Sequence, residues 1–322
     1  MEPDEALEVL CVGETMSLVA PADATPLERA PAFTLSAGGA ESNVAIHLAS
    51  LGHRVGWASR VGDDPLGRRL VADLARAGVD TALVEVHPAA PTGVYFKDPR
   101  PEGTRVHYYR AGSAASTMDQ DFLADVVLDA PAAVHLSGIT PVLSTGCDRL
   151  VRRLLTRPRR SRLSFDVNHR PALWSAAEAA PVLRELAQLA DVVFVGLDEA
   201  AALWSVRTPE EVRALLDRPE LVVVKDGALA AYEFGVGTTS VPAPRVEVVE
   251  PVGAGDAFAA GYLSGLLRGA DASRRLRLGH LLAARSLLST EDHQALPDLA
   301  ELEERLAYDE RAWGGLRIGG DA

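Results

Sequence analysis

The segment 251–267 combines bare backbone amides with a carboxylate at the start of a predicted helix. The run Gly253-Ala254-Gly255 is followed at once by Asp256, and small residues continue through the segment. Amides in such a loop can bind an anion, because the helix dipole makes this end of a helix electropositive. Asp256 could then receive a hydroxyl proton beside a bound phosphoryl group. The same residues also suit an ordinary helix start, where Asp is favoured and small residues allow close packing.

Polar residues also stand at the ends of several other predicted strands. They are Gly13-Glu14, Ser137-Gly138, residues 166–170, residues 196–199 and Lys225-Asp226-Gly227. In an open parallel sheet, ligands bind beyond the carboxyl ends of the strands. So many polar strand ends are not explained by turns alone. Together with the Gly253 loop, they predict a cleft that handles phosphate.

Strands and helices alternate regularly through the middle of the chain. Buried strands are predicted at 133–136, 163–167, 192–195 and 221–224, and helices at 122–128, 145–155, 177–189 and 199–203. This alternation predicts an α/β protein with a mostly parallel sheet between two helical layers. Edge strands are predicted at 231–234 and 246–249, and closing helices at 256–267, 273–288 and 298–308, before a loose glycine-rich tail.

Two stretches near the N-terminus break this alternation. Extended segments at 16–20 and 32–36, and an alternating hairpin pattern over 93–97 and 105–110, predict a small separate sheet. We expect this sheet to form a lid from insertions at about 14–37 and 88–112. Since no internal repeat or interdomain linker is evident, residues 1–322 are expected to form a single domain.

Composition and charge are those of a globular enzyme. Of 322 residues, 48% are hydrophobic and 24% charged, and the net charge of −13 argues against a nucleic-acid partner. The arginines between 152 and 162 are read as a solvated face. Cys11 and Cys147 have no metal-site spacing and fit a reducing, cytoplasmic location. An acidic N-terminus and the lack of long apolar runs predict neither a signal peptide nor a membrane partner.

The two common nucleotide-binding motifs are absent. The nearest approach to a Walker sequence has Arg68 where Lys is required, and Phe258 occupies the third glycine position of a Rossmann pattern. Two longer motifs instead resemble those of the ribokinase-like (PfkB) carbohydrate kinases over essentially the full length. The first is Gly-Gly-Ala-Glu-Ser-Asn-Val-Ala at 38–45, continuing to Gly67, and the second is Val-Gly-Ala-Gly-Asp-Ala-Phe at 252–258.

This resemblance implies a ribokinase-like fold, ATP and Mg²⁺ as cofactors, and roles for particular residues. Asp256 would be the base, and the amides of Gly253, Ala254 and Gly255 the anion hole. Gly39 and Asn43 would bind the sugar. We expect the helix N-terminus to lower the pKa of Asp256 and weaken it as a base, which a loose phosphoryl-transfer transition state tolerates. In some family members the lids of two subunits pack against each other. The resemblance therefore leaves open a homodimer that forms through the lid.

Three further blocks, at 107–116, 135–139 and 165–174, are similar to 2-keto-3-deoxygluconate kinases. Arg110 and Arg170 suit an acid sugar, because a guanidinium group can bind a carboxylate at two points. Tyr95, Tyr108 and Asn168 are the other expected substrate-binding residues. Each arginine could equally form a surface ion pair, and the tyrosines could serve only lid packing. The aspartate with which ribokinase-type members clamp sugar hydroxyls is missing from 14–18.

Several positions depart from the family pattern. Lys225 and Gly227 are expected to bind the nucleotide, although the loop at 227–230 reads Gly-Ala-Leu-Ala rather than Gly-x-x-Gly. Gly196 replaces the Asn of the Asn-x-x-Glu motif, whereas Glu199 remains and is expected to act on magnesium through water. Glu250-Pro251 replaces the usual Asp-Thr.

The sequence therefore predicts an ATP-dependent kinase for an acid sugar, most simply 2-keto-3-deoxygluconate phosphorylated at its terminal hydroxyl. A kinase for a neutral sugar or a nucleoside is the first alternative. A sugar-binding protein without catalytic activity is the second, suggested only by Gly196.

Overall fold

The structure is a computed structural model that describes residues 6–23, 25–100, 103–288 and 299–319. Its strands are β1 (Val9–Val12), β2 (Met16–Pro21), β3 (Phe33–Gly38), β4 (Val55–Gly62), β5 (Val84–His87), β6 (Val94–Asp98), β7 (Arg105–Tyr109), β8 (Ala133–Ser137), β9 (Arg162–Asp166), β10 (Val192–Gly196), β11 (Leu221–Asp226), β12 (Ala230–Phe234), β13 (Thr238–Pro242), β14 (Arg245–Val246) and β15 (Arg317–Ile318). Its α-helices are α1 (Ala40–Ser50), α2 (Pro65–Arg76), α3 (Asp125–Leu128), α4 (Thr145–Thr156), α5 (Ala176–Ala187), α6 (Leu197–Trp204), α7 (Pro209–Leu215), α8 (Ala254–Leu267), α9 (Ala272–Ser286), α10 (Leu299–Leu306) and α11 (Glu310–Gly314).

The main sheet has nine strands among the described residues, in the order β13-β12-β11-β10-β9-β8-β1-β4-β5. Neighbouring strands from β11 to β5 are parallel, and β12 and β13 extend one edge in antiparallel pairing. The chain builds outward from β1 in one direction and then crosses back to β8 on its other side. The strand order therefore reverses at β1, which is where open α/β sheets form ligand sites.

Helices cover both faces of this sheet, so alternate side chains of its strands are buried on opposite sides. Val9 and Cys11 pack in the layer that contains α1, α8 and α9, whereas Leu10 and Val12 pack in the layer that contains α4 and α5. Strands buried on both faces read as continuous apolar runs, as the buried sequence Val-Leu-Cys-Val of β1 does. The predicted three-layer α/β/α fold is confirmed.

A smaller sheet has the order β3-β2-β6-β7 and is called the lid below. Its central pair, β2 and β6, is parallel, and the two outer pairs are antiparallel. One lid face buries Met16, Leu18 and Tyr95, while Phe33 and Leu35 of the edge strand are exposed. The separate small sheet expected from the sequence is confirmed, and its movement as a lid on a single domain stays a prediction.

The C-terminal part of the chain differs from the prediction. Residues 246–249 do not form an edge strand of the main sheet: that edge is β13, whose sequence Thr-Thr-Ser-Val-Pro lacks a strong apolar pattern. Arg245–Val246 pairs instead with Arg317–Ile318, in a tail that was expected to be loose. The buried Trp313 anchors this tail by donating its indole Nε1–H to the Pro242 carbonyl over 2.9 Å.

Some predicted helix limits also differ. The helix expected at 122–128 is only the single turn Asp125–Leu128, and Pro209–Leu215 was not predicted. The predicted start of a helix at residue 298 and the end of the tail at 320–322 lie outside the described residues. Within the parts of the chain that the structure describes, no helix is long and apolar enough to cross a membrane.

Helix α1 carries a carboxylate into the interior. Glu41 is 1% exposed, and its Oε1 accepts hydrogen bonds from the backbone and side chain of Ser137 and from the hydroxyl of Thr140. A Cβ atom on Gly13 would overlap the carboxyl group of Glu41. The end of β1 is therefore a glycine for reasons of space.

Helices α8 and α9 approach each other closely at Gly261. A Cβ atom there would lie 2.6 Å from the Leu278 carbonyl oxygen and 2.9 Å from the Gly279 nitrogen, both backbone atoms of α9. At Gly265, one turn further along, a Cβ would lie 3.1 Å from Cγ and 3.2 Å from Cα of Arg275, which is a looser contact than the one at Gly261. The position of α8 is therefore fixed by a backbone contact at Gly261.

We expect Gly261→Ala to destabilise the protein by about 1–3 kcal/mol, because the methyl group must displace the backbone of α9. Gly314→Ala, at the last residue of α11, is the control, because a Cβ there meets no atom within 4 Å. Urea unfolding of both variants measures the difference. Equal stability of the two variants would contradict the role of the Gly261 contact.

Candidate active site

A cleft of about 990 Å³ lies between the lid and the carboxyl edge of the main sheet. Lid residues such as Tyr95 and Tyr108 line one side, and the strand ends at Asp166 and Lys225 line the other. The cleft also receives every predicted site residue, namely Gly39, Asn43, Tyr95, Tyr108, Arg110, Asn168, Arg170, Glu199, Lys225, Gly227, Gly253, Ala254, Gly255 and Asp256. The structure thus brings all of them to one cavity.

The first turn of α8 presents amides that no side chain caps. Its N-cap residue, Gly253, has φ +87°, a left-handed conformation that glycine adopts without strain. Helices α4 and α9 differ, because the side chains of Ser144 and Asp271 accept hydrogen bonds from their first-turn amides. A helix leaves its first amides without intrahelical partners. At α8 the one such bond that the described residues form is from Ala254 N to the Pro251 carbonyl, over 3.4 Å, which leaves room for an anion.

Asp256 lies in this first turn and is 7% exposed. Because α1 packs against α8, Asn43 reaches the carboxylate and donates its Nδ2–H to Oδ2 over 2.8 Å. The carbonyl oxygen of the Asn43 side chain is buried without a hydrogen-bond partner among the described residues. The side-chain amide of Asn43 is therefore held by Asp256 through its nitrogen, while its oxygen is not used by another described residue.

The expectation that the helix N-terminus lowers the pKa of Asp256 is wrong. Burial raises the pKa of this carboxyl group to about 7, and it outweighs the lowering effects of the Asn43 hydrogen bond and of the Arg170 and Lys225 charges. Asp166 adds a further raising effect. Desolvation dominates because α1 and the strand ends exclude water from the helix start.

Lys225 is the cation that faces the carboxylates at the strand ends. Its Nζ lies 2.9 Å from Asp166 Oδ2. Burial by itself lowers the pKa of Lys225, but Asp166 and Glu199 raise it by more, so the net shift is upward. A Cβ on Gly255 would lie 3.4 Å from Nζ, so the ammonium group is adjacent to the first turn of α8.

Glu199 begins α6 beside this pair. Its carboxylate accepts hydrogen bonds from the backbone amides of His169 and, over 3.2 Å, Gly196. Burial and the neighbouring Asp166 raise its pKa to about 7. The sequence analysis named Asp166 only as the first residue of the polar segment 166–170 and gave it no role of its own. Its position two residues before Asn168 is the sequence feature that could have identified it.

The sugar-side residues predicted from the sequence surround the lid end of the cleft. The rings of Tyr95 and Tyr108 lie 5.8 Å apart, and the guanidinium of Arg110 lies 5.8 Å from the Tyr108 ring centroid. Arg110 forms an ion pair with Glu14, which the sequence placed among the polar strand ends of the predicted cleft but which is not among the described residues that line it. Asn168 has a left-handed backbone, with φ +43°, a conformation that Asn tolerates better than most residues.

Arg170 and Gly39 have contrasting surroundings. Arg170 is half-buried and donates from Nη1 to the His169 carbonyl over 3.4 Å. Gly39 has an extended backbone, and a Cβ there would overlap the Glu14 carbonyl oxygen. The glycine therefore allows α1 to start directly against the end of β1.

Another part of the cleft lining combines a glycine with apolar residues. It includes Gly227, with φ +50°, and Val246, Ala283 and Leu287. This wall includes β14, which is held by its pairing with β15. Across the described ranges of the chain, no three His, Cys, Asp or Glu side chains form a cluster that could hold a metal ion by themselves.

Fold and cleft define an α/β enzyme that works on a small molecule at a crest of strand ends. The sequence profile described as pfkB family carbohydrate kinase matches residues 6–299. The chain belongs to this family, as the sequence predicted.

Individual relatives agree with this assignment. The chain is 36% identical to a 2-dehydro-3-deoxygluconokinase of Thermoproteus tenax, covering 95% of this chain and 96% of the relative. It is 34% identical to a 2-dehydro-3-deoxygluconokinase of Bacillus subtilis (strain 168), covering 94% and 96%. Among solved structures, a PfkB protein from Polaromonas sp. JS666 matches with a TM-score of 0.83 and 37% identity, over 92% of this chain and 99% of that one.

The raised pKa of Asp256 generates a prediction about stability. A pKa of about 7 in place of the usual 3.8 makes ionisation cost the folded state about 4 kcal/mol above pH 7. This penalty is absent at pH values below 3.8, the pKa of Asp256 in the unfolded chain. It grows as the pH rises towards about 7, the pKa of Asp256 in the folded protein. We therefore expect Asp256→Asn to raise the Tm by roughly 5 °C at about pH 8 and hardly at all at about pH 4.

Thermal unfolding followed by circular dichroism at the two pH values measures this difference. Asp198→Asn, at an exposed carboxylate that lines the same cleft, is the control and should change the Tm little at either pH. An Asp256→Asn variant whose Tm rises equally at both pH values would show that the pKa of Asp256 is not raised.

Proposed function

We propose that this carbohydrate kinase transfers the γ-phosphoryl group of ATP to the terminal hydroxyl of 2-keto-3-deoxygluconate. The observation that carries the proposal is the buried Asp256, held by Asn43 at the uncapped start of α8, in a cleft that two arginines also line. The 2-dehydro-3-deoxygluconokinases of Thermoproteus tenax and Bacillus subtilis, similar over nearly the whole chain, support the choice of sugar.

The charges at the lid end favour an acid sugar over a neutral one. Arg110 and Arg170 both line the cleft, and Arg170 forms no ion pair with the described residues within 4 Å. A guanidinium group binds a carboxylate at two points, and a neutral sugar offers no such group. Tyr95 and Tyr108 supply an apolar surface and hydroxyl groups beside them. We assign these residues, with Gly39, Asn43 and Asn168, to the sugar site.

Asp256 is the proposed base. With a pKa of about 7, a substantial fraction of this carboxyl group is ionised at neutral pH, and the ionised group is a better proton acceptor than an ordinary aspartate. Asn43 fixes its orientation, and the free side-chain oxygen of Asn43 can accept a sugar hydroxyl. The amides of Gly253, Ala254 and Gly255 stabilise negative charge on the transferring group, since the transition state is loose and depends on positioning.

The nucleotide is assigned to the other end of the cleft, along Lys225 and Gly227. Lys225 lies beside the α8 amides and can neutralise phosphate oxygens there. Glu199 is the residue we assign to magnesium, through a water molecule, because magnesium keeps several of its waters when it binds to a protein. When bound, magnesium neutralises charge on the phosphates.

A substrate panel tests the proposal, with Asp256→Asn as its matched variant. ATP consumption and product mass are measured with 2-keto-3-deoxygluconate, its C4 epimer, fructose, ribose and nucleosides. We expect the keto-deoxy acid to give the highest kcat/KM, and Asp256→Asn to lower kcat by roughly two to four orders of magnitude while sugar binding persists.

Other outcomes of the panel would point elsewhere. A preference for fructose, ribose or a nucleoside would reject the acid-sugar assignment. Sugar binding without any turnover would indicate a binding protein, which the replacement at Gly196 made conceivable. Near-normal turnover of Asp256→Asn would remove Asp256 from the role of base.

We also propose that the protein forms a homodimer through the outer face of the lid. We assign it to the cytoplasm, where ATP is available and where the two free thiols, Cys11 and Cys147, stay reduced. The side chains of Phe33, Leu35 and Tyr109 are 48%, 40% and 68% exposed on the two edge strands of the lid. Sedimentation velocity should show a dimer, and Leu35→Glu a monomer. Val236→Glu, at a fully exposed apolar residue away from the lid, should remain dimeric. A monomeric wild type would reject the dimer.

A further inference from the structure

Glu14 lies behind Arg110 as seen from the cleft. It follows β1 directly after Gly13 and is 3% exposed, and it is not among the described residues that line the cleft. Arg110 follows β7 of the lid and does line the cleft, although its side chain is only 8% exposed. The two residues therefore join the end of β1 in the main sheet to the end of the lid.

The carboxylate of Glu14 is held at both oxygens. Oε2 forms the ion pair with Nη2 of Arg110, and Oε1 accepts a hydrogen bond from the hydroxyl of Ser113. Space for this carboxylate depends on Gly93, where a Cβ would lie 2.9 Å from Oε1. Glu41, the other buried carboxylate nearby, is instead satisfied by Ser137 and Thr140. Arg110 is thus the cation that compensates Glu14.

The ion pair uses only part of the guanidinium group. An arginine side chain has five N–H donors in a planar fork, and the contact with Glu14 occupies Nη2. Nε of Arg110 is buried without a hydrogen-bond partner among the described residues. Since this nitrogen has no exposed surface, the donors left for a ligand are those of Nη1 and the second N–H of Nη2. The guanidinium carbon of Arg110 also lies 5.8 Å from the centroid of the Tyr108 ring, so the group is restrained by Glu14 and by an aromatic neighbour.

We propose that Glu14 is a positioning residue for acid-sugar recognition: it holds Arg110 so that the remaining N–H groups meet the substrate carboxylate. This inference rests on the proposed function. Glu14 itself does not touch the sugar. A negative charge so close to a carboxylate-binding arginine lowers the attraction, but a preorganised fork loses less entropy when it binds. The pair therefore lowers the attraction for the substrate but restrains the geometry, and the charge of Glu14 is offset by the Arg110 ion pair and the Ser113 hydrogen bond.

The test compares Glu14→Gln, Arg110→Ala and the double variant in steady-state kinetics with 2-keto-3-deoxygluconate. Glu14→Gln keeps the shape and removes the charge. We expect it to raise the sugar KM about tenfold, with kcat and the KM for ATP changed less than about threefold. In the Arg110→Ala background the same substitution should have almost no further effect on kcat/KM, since Glu14 acts through Arg110.

Glu233→Gln is the matched control for burial. Glu233 is 4% exposed and paired with Arg275 and Tyr262, and it does not line the cleft among the described residues. Its substitution should lower the Tm without changing the sugar KM. If Glu14→Gln fails to fold, Ser113→Ala keeps the ion pair and frees Oε1, and should raise the sugar KM about threefold.

Three results would overturn the proposal. An unchanged sugar KM in a folded Glu14→Gln variant would do so, and so would an equal loss of kcat/KM in the presence and absence of Arg110. Both leave the proposed function intact, because the wild type would still phosphorylate the acid sugar. A wild type that is inactive on every keto-deoxy acid would overturn the role of Glu14 and the proposed function together.

Discussion

The burial of several carboxylates around one lysine is the constraint on which this cleft depends. Asp166, Glu199 and Asp256 all approach Lys225, and burial raises the pKa of both Glu199 and Asp256 to about 7. Such a cluster is stable only if its charges are compensated or its carboxyl groups take up protons. The register of the sheet brings the compensating charge into place. Asp166 lies opposite Phe194 on β10, and Gly196, two residues further along β10, lies opposite Lys225 on β11, so that Lys225 reaches Asp166 across β10. The same pairing that builds the sheet thus sets the electrostatics of the site.

Much of this could be read from the sequence, because it depends on local patterns. Buried strands followed by polar residues predicted the crest, and the alternation at 93–97 and 105–110 predicted the lid hairpin. The parts that could not be read depend on distant contacts. The edge strand Thr238–Pro242 has little apolar pattern, and Arg245–Val246 pairs with residues more than seventy positions away. No local signal identifies such partners.

Charge states were the least predictable feature. Because Asp256 lies at the start of a helix, its pKa was expected to be lowered. Helix α1, about two hundred residues earlier in the chain, instead excludes water from the carboxyl group, and burial raises its pKa. Likewise, Arg110 could be recognised as a cation suited to a carboxylate, but its pairing with Glu14 requires the lid to fold back onto β1. Residue types limit the chemistry, while tertiary burial decides which of the groups are charged.

The space shared by Gly13 and Glu41 has an evolutionary consequence. Any side chain at residue 13 would occupy the volume of the Glu41 carboxyl group, and that carboxyl group in turn satisfies Ser137 and Thr140. Substitutions at these positions are therefore epistatic, and their order matters. A side chain at residue 13 needs a shorter residue at 41, and a shorter residue at 41 removes the shared acceptor of Ser137 and Thr140, so a change at one position alters what the other three tolerate.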